Sequence, residues 1–155
     1  MTTLTRKAIE ALIPHRPPFL WLDAAEVEGE TIYATKTLEP DLPVFAGHYP
    51  DHPLLPGVLQ LEMCFQASAV LIASLNPGEG GDPAAKGVPV VARTDAVKFK
   101  RMIRPGETCD IEVTITDRLP GAFYLTGKVR VAGQLACRCD FTTAEAKPNA
   151  VPAAA

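Results

Sequence analysis

Two residue types that can move protons stand close together in the first half of the chain. His48 lies in a Gly- and Pro-rich segment, between Gly47 and Tyr49-Pro50, and Glu62 follows fourteen residues later. Glu62 is the only formally charged residue between Val58 and Leu75. A carboxylate in so apolar a segment is either paired or held in its neutral form, and a neutral carboxyl near a histidine can transfer protons. The spacing therefore predicts general acid–base chemistry.

Each of these residues also has an ordinary explanation. A histidine in a proline-containing turn is by itself most often a solvated loop residue, and a helical glutamate most often pairs with an arginine. The two together, with the Pro56-Gly57 step between them, favour catalysis. A neutral imidazole suits the base that removes a weakly acidic proton, and a neutral carboxyl suits the acid that protonates a departing group.

Gly57 and Gln66 flank Glu62 along the predicted helix. Gly57 stands at the helix start, where its free backbone N–H can donate to a substrate oxygen and the absent side chain lets a ligand approach. The same absence can equally relieve a steric clash. Gln66 lies one turn beyond Glu62 on the same face, so it either orients the carboxylate or satisfies a buried polar group.

The composition limits the class of protein. At 155 residues, with 47% hydrophobic and 21% charged residues, the chain is long enough for one well-buried domain and too apolar for disorder in its body. A net charge of -3 argues against a nucleic-acid-binding protein. Polar residues interrupt the longest apolar stretch, which indicates a buried helix and no membrane span. No basic segment followed by an apolar one opens the chain, so we expect a cytoplasmic protein.

Hydrophobic periodicity predicts two helices and six strands. A short helix covers Thr5–Ile13, and a long helix covers Leu55–Leu75. Four glycines and two prolines place a loop at Asn76–Gly87. The predicted strands are Phe19–Val27, Thr31–Leu38, Val88–Phe99, Cys109–Asp117, Phe123–Val131 and Gln134–Thr143.

Short turn sequences favour antiparallel pairing of successive strands, because a parallel crossover needs many more residues. These turns are Glu28-Gly29-Glu30, Arg104-Pro105-Gly106, Leu119-Pro120-Gly121 and Ala132-Gly133. One long helix with six hairpin-connected strands predicts an α+β domain whose curved antiparallel sheet wraps the helix. We assign this domain to residues 1–143 and a flexible tail to residues 144–155, which lack periodicity.

Three motifs in register resemble the 3-hydroxyacyl-acyl-carrier-protein dehydratases of fatty acid synthesis. The central motif comprises Gly47-His48-Tyr49-Pro50, Pro56-Gly57-Val58-Leu59, Glu62 and Gln66. Pro14-His15-Arg16-Pro17-Pro18-Phe19-Leu20 resembles the family's N-terminal motif, and residues 97–101 with 104–107 resemble its later basic strand and Pro-Gly turn. The resemblance spans roughly residues 10 to 142, and glutamate at position 62 is typical of the FabZ-like branch. Tyr49 in place of the family's Phe and the additional His52 are mild departures.

The resemblance implies a hot-dog fold and the dehydration of a (3R)-3-hydroxyacyl thioester to its trans-2-enoyl product. His48 is then the base, Glu62 the acid, and Gly57, Val58 and Gln66 the substrate-binding residues. It also implies a site assembled across a homodimer, with a trimer of dimers as the larger assembly. We expect neither a cofactor nor a metal.

The implied partner is acyl carrier protein, which is strongly acidic. A basic rim near the tunnel mouth would steer it towards the site. An ordinary solvated strand face is the alternative explanation of the same charges. The candidate docking cluster comprises Lys98, Lys100, Arg101 and Arg104.

Two rival functions share this fold. Hot-dog acyl thioesterases hydrolyse the thioester, but they normally lack the histidine of the Gly-His-x-Pro turn. A non-catalytic acyl-binding homologue would show damage at the acid–base pair, and the sequence shows both residues intact. His48 together with Glu62 therefore favours dehydration.

The remaining reactive residue types have structural explanations. Cys64 lies mid-helix, Cys109 opens a strand, and Cys137 and Cys139 share one strand face, so we expect four buried, reduced thiols. His15 is expected to support the N-terminal loop, and His52 has no assigned role.

Overall fold

The computed structural model describes residues 1–76 and 89–146. Along the chain lie β1 (Thr2–Thr5), α1 (Arg6–Leu12), β2 (Ala24–Glu28), β3 (Thr31–Thr37), α2 (Pro43–Gly47), α3 (Gly57–Leu75), β4 (Pro89–Phe99), β5 (Thr108–Leu119), β6 (Ala122–Val131) and β7 (Gln134–Glu145). Within this described part of the chain, the strands form a seven-stranded antiparallel sheet in the order β1-β2-β3-β5-β6-β7-β4. Because α3 packs against β2 to β7, the sheet wraps the helix, as predicted for an α+β domain.

Helix α3 forms the centre of the domain. Its N-cap is Pro56, which has φ -55° and no backbone N–H to leave unsatisfied. Met63, Cys64 and Leu71 have no exposed surface. By length and composition α3 would also cross a membrane, but 56% of its apolar window is buried inside the domain. Burial under the sheet therefore accounts for its apolar sequence.

β3, β5, β6 and most of β7 present alternate residues to α3 and to the outside. On β5, Ile111 and Val113 are buried against the helix, and Asp110 is exposed on the opposite face. On β6 the inner row includes Gly127, where an added Cβ would lie 2.8 Å from Cys64 Sγ. The missing side chain lets α3 lie close to the sheet.

All four cysteines are buried and free. Cys137 and Cys139 lie on the inner face of β7, and Cys139 meets Cys64 of α3. Burial raises the pKa of Cys109 and of Cys137 to about 12, so both thiols are protonated at physiological pH. The prediction of buried, reduced cysteines is confirmed.

Both predicted helices are confirmed, and strands form at each of the six predicted places. The strand predicted at Phe19–Val27 is shorter than expected and corresponds to β2, which begins at Ala24. Ahead of it, the Trp21 N–H and the Phe19 carbonyl bond to the side chain of Gln66 and not to a neighbouring strand. The edge strand β1 and the short helix α2 were not predicted.

The expected hairpin between β4 and β5 is wrong. β4 pairs with β7, and β5 pairs with β3 and β6. The Arg104-Pro105-Gly106 turn docks instead on the end of β3, where Gly106 N–H donates to Leu38 O at 2.6 Å and Leu38 N–H donates to Glu107 O at 2.9 Å. Turn chemistry predicts a change of direction, but it does not determine which strand the chain meets next.

The predicted boundary between the domain and its tail, at residue 143, lies too early in the chain. β7 extends to Glu145, so Ala144 belongs to the sheet and the domain runs past residue 143. The rest of the predicted tail, residues 147–155, lies outside the described residues. The predicted Asn76–Gly87 loop does so too, apart from Asn76.

Candidate active site

His48 follows α2 and is held by the loop after it. Its backbone N–H donates to Val44 O at 3.0 Å, and its ring stacks on Tyr49 with the centroids 4.1 Å apart. Nδ1 lies 2.9 Å from Leu54 O. Because a carbonyl oxygen only accepts, Nδ1 carries the proton and Nε2 has a free lone pair. This tautomer can accept a proton at Nε2.

Glu62 lies in the second turn of α3, and 22% of its side chain is exposed. Gln66 Nε2 donates to Glu62 Oε1 at 3.0 Å, and His15 Nε2 lies 3.6 Å from the same oxygen. The partner groups are an amide and an imidazole, not an arginine.

Gln66 is completely buried, and both ends of its amide are used. Oε1 accepts from Trp21 N–H at 2.8 Å, and Nε2 donates to Phe19 O at 2.8 Å as well as to Glu62. These contacts fit the alternative explanation of Gln66, in which a buried polar side chain orients the Glu62 carboxyl.

Gly57 starts α3 under the ring of Phe99. A Cβ at Gly57 would lie 2.9 Å from Cε1 and Cζ of that ring, so the steric explanation of this glycine holds. In the part of the chain that the structure describes, the Gly57 and Val58 amides donate to no backbone group. They are two of the free N–H groups that a helix start leaves open. Val58 is 69% exposed beside them.

Among the described residues, no hydrogen bond or ion pair joins His48 to Glu62. His48 is hydrogen-bonded to Leu54 and Glu62 to Gln66, and His15 Nε2 lies 3.6 Å from Glu62 Oε1. Each of the two side chains therefore has its own positioning contacts.

The candidate docking cluster divides into two kinds of residue. Arg101 forms a bidentate pair with Glu107, with Nη2 to Oε1 at 2.7 Å and Nη1 to Oε2 at 3.0 Å, and only 27% of its side chain is exposed. Glu107 also accepts from Arg104 N–H at 2.8 Å. Arg101 thus ties the Pro-Gly turn together, whereas the side chains of Lys98, Lys100 and Arg104 are exposed.

A groove of about 450 Å³ opens on the outer face of the sheet and contains none of the predicted site residues. Its wall includes Glu112, which pairs with Lys128 and Arg130. In the described ranges, no group of three or more His, Cys, Asp or Glu side chains is placed to hold a metal ion.

Known sequences identify the family to which these motifs belong. The ApeI-like family, described as ApeI dehydratase, matches residues 24–134. The 3-hydroxyacyl-[acyl-carrier-protein] dehydratase FabZ of Staphylococcus carnosus is 36% identical over 145 residues, which cover 92% of this chain and 96% of the relative. FabZ of Coxiella burnetii is 36% identical over 146 residues, with coverage of 92% and 98%. The chain belongs to the FabZ dehydratase family.

Solved structures show how widely the fold of this FabZ family member is shared. The dehydratase heterocomplex ApeI:P from Xenorhabdus doucetiae matches with a TM-score of 0.76 at 17% identity, covering 90% of this chain and 91% of that chain. A hypothetical thioesterase from Streptococcus pneumoniae, solved with coenzyme A, matches with a TM-score of 0.61 at 12% identity, covering 79% and 84%. The hot-dog fold prediction is confirmed, and fold alone does not separate dehydratases from thioesterases.

Sequence reasoning missed the contact of His15 with Glu62. The Pro14–Leu20 motif indicates that His15 belongs to the family pattern. Its contact residue, Glu62, lies 47 residues away along the chain. No periodicity links a loop histidine to a helical glutamate at such a separation.

The Arg101–Glu107 pair predicts a pH-dependent contribution to stability. Hydrogen bonding to Arg101 holds the pKa of Glu107 below its usual 4.5, so the pair stabilises the fold above that pH and loses this effect as pH falls through the folded-state value. Arg101→Gln should lower the thermal unfolding temperature at neutral pH, with a difference from the parent that narrows as the pH falls below 4.5 through the lowered pKa of Glu107. Lys98→Gln, at an exposed side chain, is the matched control for circular-dichroism melts. A difference that persists undiminished in acid would contradict the assignment.

Proposed function

We propose that this protein dehydrates (3R)-3-hydroxyacyl-acyl-carrier-protein to the trans-2-enoyl thioester in fatty acid biosynthesis, as a hydro-lyase. The observation that carries the proposal is the 36% identity to FabZ dehydratases over 92% of the chain. The arrangement of His48 supports it, because the Leu54 carbonyl fixes the tautomer that a base requires. A cytoplasmic location fits an enzyme of fatty acid biosynthesis, and we propose it for this protein.

In this mechanism His48 removes the proton from the carbon next to the thioester carbonyl. Nε2 accepts that proton, and the ring becomes an imidazolium whose Nδ1–H still donates to Leu54 O. The carbonyl bond therefore orients the ring before the reaction and stabilises its charge afterwards.

Glu62 completes the elimination by protonating the departing hydroxyl. The bond from C3 to oxygen breaks, water leaves, and the electrons of the broken C2–H bond form the C2–C3 double bond. The carboxylate that remains at Glu62 is stabilised by the N–H of Gln66. His48 then releases its extra proton, and Glu62 takes up a proton from the solution. Both groups thereby return to their starting states.

The start of α3 supplies donors for the thioester oxygen. As C2 loses its proton, negative charge moves onto that oxygen, and the open N–H groups of Gly57 and Val58 can donate hydrogen bonds to it. The positive end of the helix dipole adds to the effect. Gly57 and Val58 are thus proposed as substrate-binding residues through their backbones.

We further propose that the working unit is a two-fold dimer with a shared site, because no hydrogen bond or ion pair joins the acid to the base among the described residues of one protomer. β4 supports this proposal, because it lies at the edge of the described sheet, with every residue except Pro89 and Val97 exposed. Phe99 on this strand is 52% exposed. An edge strand with apolar exposed residues is suited to pairing with a second copy. Stacking of such dimers into a trimer of dimers would preserve these sites.

A thioesterase is the second candidate, because solved neighbours of this fold bear that name. A histidine with a free Nε2 could also activate water for hydrolysis. The contacts on His48 and Glu62 could also be structural in a non-catalytic acyl-binding homologue. The 36% identity to FabZ dehydratases over 92% of the chain is the observation that favours dehydration over both.

The first prediction concerns the acid–base pair. His48→Ala should reduce turnover of a carrier-bound 3-hydroxyacyl substrate by roughly 100- to 10,000-fold, because a positioned base contributes about that factor. Glu62→Gln should be similarly inactive yet fold normally, since its amide oxygen still accepts from Gln66. His52→Ala, at an exposed histidine of the same loop, is the matched control. Near-normal turnover by folded His48→Ala protein, or thioester hydrolysis without enoyl product, would refute the mechanism.

The second prediction tests the shared site by complementation. Mixing His48→Ala with Glu62→Gln subunits under conditions of exchange should restore roughly a quarter of the parental activity, because half of the random dimers carry one intact site out of two. Each variant exchanged with itself serves as the control. If verified exchange restores nothing, each chain builds its own site and the dimer proposal fails.

The third prediction concerns the carrier protein. Lys98, Lys100 and the side chain of Arg104 form the proposed docking surface, and Arg101 is excluded from it because it is committed to Glu107. Lys98→Glu with Lys100→Glu should raise KM for carrier-bound substrate roughly tenfold by like-charge repulsion, and leave a short pantetheine thioester unaffected. Lys7→Glu, on the exposed face of α1, is the control. An equal effect on both substrates would place these lysines elsewhere in the reaction.

A further inference from the structure

The N-terminal loop that carries His15 is fastened at both ends. Before Pro17, the Arg16 guanidinium donates to the carbonyls of Glu10, Ile13 and His15 at 2.8, 2.9 and 2.7 Å, which ties the loop to the end of α1. After Pro18, Phe19 O and Trp21 N–H are bonded to Gln66. A segment with this many fixed contacts holds His15 in one place.

The Gln66 amide determines which oxygen of Glu62 is available. The Trp21 N–H can only donate and the Phe19 carbonyl can only accept, so the amide has one orientation and its Nε2 faces Glu62. Gln66 Nε2 and His15 Nε2 both approach Oε1, at 3.0 and 3.6 Å. Among the described residues, Oε2 has no hydrogen-bond partner. The acidic proton therefore belongs on Oε2.

The tautomer of His15 follows from its other nitrogen. Nδ1 is buried and has no hydrogen-bond partner in the part of the chain that the structure describes. An N–H at Nδ1 would have no acceptor, whereas an N–H at Nε2 faces the Glu62 Oε1, which can accept. The proton therefore lies on Nε2, which faces the Glu62 carboxyl.

We propose that His15 is a positioning residue for the acid. Its Nε2 lies 3.6 Å from Oε1 of Glu62, beside the Gln66 donor, and comes within hydrogen-bonding distance during the reaction. There it keeps Oε2 turned towards the substrate and stabilises the carboxylate left after the proton departs. Hydrogen bonds of this kind are often long in the ligand-free enzyme and shorten as charge develops. The role rests on the proposed dehydratase function, whereas the His15–Glu62 contact itself does not.

Kinetics of two His15 variants test the role. His15→Leu removes the donor and should lower kcat roughly 10- to 100-fold with KM almost unchanged, as expected for the loss of a hydrogen bond to a charged group. His15→Gln keeps an N–H in place of Nε2 and should recover most of that loss. His52→Leu is the matched control and should behave as the parent. A loss that glutamine does not rescue, a change confined to KM, or no change in kcat would each overturn the proposal.

Histidine-labelled protein tests the contact without reference to activity. Nitrogen NMR should show His15 in the Nε2–H tautomer, with the signal assigned by its absence from His15→Leu. Glu62→Gln should shift that signal and leave the His52 signal in place. If the parent fails to dehydrate any carrier-bound substrate, the proposed function is refuted while this spectrum still decides the contact. An Nδ1–H tautomer, or a signal that ignores Glu62→Gln, would refute the contact itself.

Discussion

The structure depends on burying α3 under a sheet while its first turn stays open. An apolar helix of nineteen residues must be covered by other elements, and six strands do so. Close approach is possible because Gly127 replaces a side chain that would overlap Cys64. Gly57 has the corresponding role under Phe99 at the open end of the helix. Both glycines therefore allow a short distance between the helix and the strands that pack on it.

Burial of the helix also explains the polar contacts of the site. Gln66 has no exposed surface, so each of its groups must find a partner inside the protein. It finds two in the backbone of the N-terminal loop and one in Glu62. The residues between α1 and β2 are consequently not a strand, since their groups are used by a side chain. Satisfying one buried amide both shapes the loop and orients the carboxyl.

Sequence patterns predicted the parts of this protein that depend on local order. Alternation along β5 and the largely apolar sequence of α3 are patterns contained within a single segment, and His48 and Glu62 lie only fourteen residues apart. The pairing of β4 with β7 is not contained in any single segment. A Pro-Gly turn specifies a change of chain direction, but it does not specify the next pairing partner. Arg101 was assigned to docking for a similar reason. Its charge is visible in the sequence, but its pairing with Glu107 depends on a turn geometry that composition does not determine.

The two reactive side chains are positioned by opposite means, and this difference bears on how a shared fold acquires distinct activities. His48 is oriented by one backbone carbonyl in a loop, so its tautomer persists whatever side chains surround it. Glu62 is oriented by side chains from a helix and a distant loop, and substitution at Gln66 or His15 can alter it without disturbing the sheet. A hypothetical thioesterase from Streptococcus pneumoniae shares the fold at 12% identity, so the fold tolerates extensive sequence change. Under the proposed mechanism, the orientation of Glu62 is therefore more sensitive to side-chain substitution than the orientation of His48.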